Sequence, residues 1–100
     1  MVKYDKVVIK KSTKPEKKLM AVFSQKDTSR TKTLHFGQSG APDYTKTKDK
    51  EQKKRYISRH RSRENWNVPD TAGSLAKHIL WNKETVGASI SDYKRRFNLK

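Results

Sequence analysis

With 100 residues, 31% apolar side chains and 25 Lys or Arg against 10 Asp or Glu, a net charge of +15, the chain has room for one small domain, residues 1–100, around a modest core. The cation excess cannot be neutralised internally, so the natural partner is a polyanion: nucleic acid, an anionic membrane or an acidic protein surface. Absence of cysteine excludes disulfide and thiolate chemistry. No apolar run reaches the roughly 18 residues a membrane span requires, and the first residues lack the apolar core of a secretion signal.

The low apolar fraction leans towards disorder, but 9% aromatic side chains predict a folded centre with mobile basic ends. The charge is unevenly placed. Residues 1–33 carry ten Lys or Arg and three acids, residues 46–63 nine and two, and residues 64–100 six and four. The strands and first helix described next are therefore basic, and the C-terminal helices are nearly neutral.

From Val2 to Lys11, the β-branched Val7-Val8-Ile9 predicts a first strand. A turn follows at 12–16 with Pro15. Lys18 to Ser24 reads as a second strand, with Leu19, Ala21 and Phe23 on one face and Met20 and Val22 on the other. A polar turn-like stretch at 25–30 leads to Thr31–Phe36, where Leu34 and Phe36 alternate with Thr33 and His35. Short connections make these an antiparallel meander over residues 1–37, whose apolar face needs a cover. Gly37, Gly40 and Pro42 mark residues 38–48 as a Gly/Pro/Lys loop.

Residues 49–100 supply the cover. Asp49 and Gln52 have the spacing of a capping box for a helix from about Lys50 to Arg61. Its stripe is Tyr56, Ile57 and His60, and Glu51 stands four residues before Arg55, a pairing distance. After a break at Asn65–Pro69, Asp70 or Thr71 caps a second helix to about Asn82, with Leu75 and Ile79 in one row and Ala72, Ala76 and Leu80 in the next. A third helix, about Glu84 to Asn98, carries Val86, Ile90, Tyr93 and Phe97 at helical spacing. The expected fold class is α+β: an N-terminal three-stranded antiparallel meander packed by two or three C-terminal helices. Its expected core is Leu19, Ala21, Phe23, Leu34, Phe36, Leu75, Ile79, Val86, Ile90, Tyr93 and Phe97.

Functionally, the strongest signal is the cation run. Lys50, Lys53, Lys54, Arg55, Arg59, Arg61 and Arg63 are candidates for binding a polyanion or an acidic partner, through salt-dependent contacts without base reading. No recognition-helix, zinc-finger or ribonucleoprotein pattern accompanies them. Tyr44, Trp66 and Trp81 are candidates for a partner interface or for base stacking, as is Tyr56, although the ordinary place of both tryptophans in a domain this small is the core or an interface. His35-Phe36-Gly37-Gln38-Ser39-Gly40 lacks the Gly-Lys-Ser/Thr ending of a phosphate loop. His35, His60 and His78 lack ligand spacing, and nothing arranges Ser39, Asp43 and His60 as a triad. No catalytic residue, metal, cofactor or small-molecule substrate is expected.

The stretch from Leu34 to Phe97 resembles a family of small basic proteins encoded by large nucleocytoplasmic DNA viruses, including algal and amoebal giant viruses. The resemblance rests on His35-Phe36-Gly37, Asp43-Tyr44-Thr45, Lys48-Asp49-Lys50, Arg55-Tyr56-Ile57 with Arg59-His60, and Glu64-Asn65-Trp66. It continues through Thr71-Ala72-Gly73, Leu80-Trp81-Asn82-Lys83 and Ser89-Ile90-Ser91-Asp92 with Arg96-Phe97. Glu84 stands where the resemblance would put a proline. The resemblance implies a viral protein of the virion, present in host cytoplasm or nucleus during infection, and carries over no active site. The first expectation is a non-enzymatic minor capsid-type component docking on larger acidic shell proteins. The alternatives are a sequence-nonspecific nucleic-acid-binding protein that packages viral DNA, or an adaptor for acidic host proteins.

Overall fold

The computed structural model describes residues 4–26 and 28–100. Three antiparallel strands, β1 (Lys6–Lys11), β2 (Lys17–Ser24) and β3 (Thr31–Gln38), form one sheet in the order β1-β2-β3. The expected start of β1 at Val2 lies outside the described residues. The register sets Val7 opposite Phe23 and Phe23 opposite Lys32, and it aligns Ile9, Ala21 and Leu34 in the next row. These rows form the covered face, where Val7, Ala21 and Phe23 have no exposed surface. The other face carries Val8, Val22 and Thr33 in one row and Lys10, Met20 and His35 in another. Met20, on the outer face by alternation, is nonetheless buried. Thr13 contacts its sulfur, and Ser12 Oγ and His35 Nδ1 are hydrogen-bonded beside it at 2.7 Å.

Residues 38–48 are not wholly a loop: Tyr44–Thr47 make a single helical turn, α1. Asp43 caps it, accepting from the Thr45 amide and hydroxyl, and also pairs with Lys18 of β2. Burial alone would raise the Asp43 carboxyl, but the hydrogen bonds from Lys18 and Thr45 outweigh it and hold the group below its ordinary value. Gly37 has a φ of +80°, and a Cβ there would stand 2.7 Å from Leu80 Cδ1. Glycine adopts the turn out of β3 without strain and leaves Leu80 in place.

Helix α2 (Lys50–His60) starts at Asp49, whose carboxylate accepts from the Glu51 and Gln52 amides. The reciprocal half of the capping box is absent, because Gln52 accepts from Thr47 Oγ1 instead. Helix α3 (Ala72–Leu75), capped by Thr71, runs into a π-helical turn at Ala76–Leu80. That turn closes with the Trp81 amide donating to the Ala76 carbonyl, and it corrects the expected uniform second helix. The wider turn buries His78, Ile79, Leu80 and Trp81 in succession, a broader arc than the stripe of a regular α-helix.

Helix α4 (Val86–Phe97) is capped by Thr85, not begun at Glu84. It ends with Asn98 at φ 54° and the Leu99 amide on the Lys94 carbonyl, the hydrogen-bond pattern of a Schellman motif. The reversal buries Leu99 and brings Lys100 against β1. There the Val7 amide donates to Lys100, and the Lys100 amide donates to Asp5.

The expected core divides in two. Ala21, Phe23, Phe36, Leu75, Ile79 and Tyr93 are buried, whereas Leu19, Leu34, Val86, Ile90 and Phe97 are half-buried against them. Val7, Tyr44, Leu80, Trp81 and Leu99 complete the core.

Candidate polyanion-binding surface

Helix α2 buries none of its residues. It is held to the body by a few side chains. The Tyr56 ring stacks on Trp81 with centroids 4.5 Å apart and planes 6° apart, and His60 stacks on its other side at 4.3 Å. Burial in this stack, with Glu64 nearby, pushes the Tyr56 hydroxyl up to about 12. Lys53 Nζ donates to the Asn82 carbonyl at 2.7 Å and lies 4.8 Å from the centre of the Tyr44 ring. Burial, then the charges of Lys83 and Lys50, pushes the Lys53 ammonium below its ordinary value.

With that side attached to the body, the remaining cations face water. Lys50, Lys54, Arg55, Arg59, Arg61 and Arg63 are all exposed. Among the described residues none of them forms an ion pair; the acids that do so are Asp43, Asp70 and Asp92, with Lys18, Lys32, Arg95 and Arg96. The pairing of Glu51 with Arg55 expected from their spacing is not formed. From Lys50 to Arg61 the array extends about 16 Å along the axis, at 1.5 Å per residue. Lys48, the exposed residue that ends α1, stands two residues before the array in the chain. A cavity of about 330 Å³ opens at its base between Tyr44, Lys50, Lys53, Lys54 and Ile57.

Two further assignments change. Lys53 is not a free cation, because its ammonium is spent inside the chain. Tyr44 and Trp81 are 4% and 9% exposed and belong to this chain's own core, so they are not faces offered to a partner or a base. Trp66 alone of the three is half-buried. Its carbonyl accepts from His78 Nε2 at 3.0 Å, its ring lies 5.4 Å from Lys77 Nζ, and its indole N–H is buried without a partner.

The three histidines are separated by function: His35 holds Ser12, His60 stacks on Tyr56, and His78 is buried beside Tyr93 and Phe97. Among the described residues no group of three or more His, Cys, Asp or Glu is placed to hold a metal ion. Asp43 gives its carboxylate to Lys18 and Thr45 rather than to a histidine. No helix among the described residues is long and apolar enough to cross a membrane.

A family model described as a family of unknown function (DUF5754) matches residues 7–60, from β1 to the last residue of α2. The chain belongs to that family. No curated protein and no solved structure matches it.

Proposed function

We propose that this family member is a non-enzymatic polyanion-binding protein that lays α2 along the phosphate backbone of nucleic acid without reading sequence. The observation that carries the proposal is the set of six exposed cations without an ion pair, four on α2 and two just after its last residue, on a helix whose other side is fastened to the body. Duplex DNA presents one charge for about every 1.7 Å of its axis, so a rod of phosphates engages such an array along its whole length. An acidic protein surface offers sparser charge. The array has no free amide side chain for base edges, since Gln52 is engaged by Thr47. The resemblance to proteins of large DNA viruses supplies the setting: packaging or condensing the genome of the particle.

The test is binding to a short duplex as a function of salt, for wild type and for Lys54, Arg55 and Arg59 changed together to Gln. Each phosphate contact contributes about 0.9 to the slope of log affinity against log salt, so the triple variant is expected to lose about 2.7. Equal slopes would remove α2 from the contact surface.

A second reading, a minor capsid-type component docked on larger acidic shell proteins, is favoured by Trp66. Its half-exposed ring beside Lys77 has the composition of an interface anchor. On that reading Trp66→Ala, with its fold retained, blocks incorporation into particles while DNA binding is unchanged.

A further inference from the structure

A second concentration of positive charge lies away from α2, around a cavity of about 550 Å³. Five lysines line it: Lys11 from the end of β1, Lys14 and Lys17 from the β1–β2 turn and the start of β2, Lys18 from β2, and Lys46 from α1. One carboxylate, Asp43, joins them. It is already taken, because it pairs with Lys18, whose ammonium also donates to the Ala41 carbonyl. That pair ties β2 to the start of α1 and so fixes the two sides of the cavity relative to each other.

Among the described residues Lys11, Lys14, Lys17 and Lys46 form no ion pair. Four like charges gathered round one concavity repel one another, and a bound anion removes that cost. The rest of the lining has two characters. Ser39 supplies a hydroxyl at the rim, whereas Pro15, Leu19, Leu80 and Val86 supply aliphatic surface. A lone phosphate is too small to meet lysines from three separate elements and leaves the aliphatic surface unused. A duplex is too wide to enter. The volume lies within the range of small-molecule sites, about 300–1,000 Å³.

We propose that this cavity binds a small organic molecule bearing several phosphates, its phosphates on Lys11, Lys14, Lys17 and Lys46 and its organic body against Leu19, Leu80 and Val86. The site is distinct from the α2 surface and does not depend on its function.

Calorimetric titration tests it, using inositol hexakisphosphate, ATP and inorganic phosphate at physiological salt. Three proteins accompany the wild type: Lys14, Lys17 and Lys46 changed together to Ala; Ser39→Trp, which sets an indole at the rim of the cavity without changing charge; and the α2 triple variant. Near-ultraviolet circular dichroism checks that each is folded. One of the two organic polyphosphates is expected to bind with one molecule per chain, and inorganic phosphate at least about tenfold more weakly. The lysine variant and Ser39→Trp should each weaken that binding by about tenfold or more, a change of about 1.4 kcal/mol, while the α2 variant leaves it unchanged. Preference for ATP identifies a nucleotide body on the aliphatic surface; preference for inositol hexakisphosphate identifies phosphate density as the determinant. Three results would overturn the proposal: neither polyphosphate binds, the α2 variant weakens binding as much as the lysine variant, or Ser39→Trp leaves affinity intact. If Ser39→Trp does not fold, the contrast between the two triple variants decides.

Discussion

Helices α2 and α4 are nearly equal in length, 11 and 12 residues, and each opens on a side-chain cap, yet they do opposite work. Helix α4 buries Ser89 and Tyr93 and packs Val86, Ile90 and Phe97 against the core. Helix α2 has no fully buried residue and leans on the body through Tyr56 and Lys53. In a chain this small, a helix that serves the core and a helix that serves a partner need different faces. α4 spends its apolar stripe inward, and α2 keeps almost its whole circumference charged. Stability should therefore reside in the α4 half, and binding in the α2 half.

The same substitution on the two helices tests that division. Tyr93 is fully buried, stacks edge-on with Phe97 and donates from its hydroxyl to the Pro69 carbonyl at 2.7 Å. Tyr93→Ala is expected to cost about 3–5 kcal/mol, enough to unfold a domain with a total stability of about 5–15 kcal/mol or to leave it marginal. Tyr56→Ala removes the stack that holds α2 but leaves the core of α3 and α4 in place. The expected cost is about 1–2 kcal/mol, from an aromatic contact and its half-buried area. Hydrogen exchange should show α2 amides losing protection while β2 and α4 keep theirs. Global loss of protection in Tyr56→Ala would mean that α2 is part of the cooperative core.

Acid should reach the two halves in a definite order. In the α4 half, burial, opposed by the hydrogen bond to the Trp66 carbonyl and aided by Lys77 and Arg96, holds His78 below its ordinary 6.5. Its Nε2 carries the proton donated to Trp66, and Nδ1 is buried without a partner. The unfolded chain therefore takes up a proton that the folded chain resists. Stability is fully present above 6.5 and falls as pH drops below it. On the α1 side, the Asp43 carboxyl is also depressed, but from 3.8, so its contribution is lost only below that value. In urea melts between pH 6.5 and 3.8, wild type should lose at most about 1.4 kcal/mol per pH unit through this group. His78→Asn keeps a donor for Trp66 without the titration and should flatten that decline. An unchanged slope would assign the acid sensitivity elsewhere.

The α4 half was legible because its signal is local: Val86, Ile90, Tyr93 and Phe97 repeat at the helical period, and the strands alternate as they should. What escaped was set at a distance. Trp81 reads as the end of a helix, where core and interface are both open to it, and only the π-helical turn shows that it enters the core onto Tyr56. Leu99 reads as tail until the reversal at Asn98 folds it inward. The cavity lysines are scattered over 36 positions, from Lys11 to Lys46; the β1–β2 pairing gathers four of them, and the tie from Lys18 to Asp43 brings in the segment that carries Lys46. A charge run makes every lysine look alike, because the sequence does not display which ammonium has a carbonyl waiting for it.

Lys53 and Lys54 are the smallest and sharpest form of the comparison, adjacent residues on one helix with opposite fates. Lys53 donates to the Asn82 carbonyl and covers the Tyr44 ring; Lys54 is exposed and has no ion pair. Replacing each by Met keeps a flexible stem of similar length and deletes the charge. In Lys53→Met, a lost charge-assisted hydrogen bond of about 1.5–3 kcal/mol is partly offset, because burial and the nearby charges of Lys83 and Lys50 already oppose that ammonium. The net loss should be about 1 kcal/mol. Lys54→Met should change stability by less than about 0.5 kcal/mol. DNA binding should rank the two variants the other way: Lys54→Met lowers the salt slope by about 0.9, and Lys53→Met, once shown to be folded, leaves it where it was. If both variants lower the slope equally, Lys53 releases Asn82 to meet phosphate, and the inner side of α2 belongs to the binding surface after all.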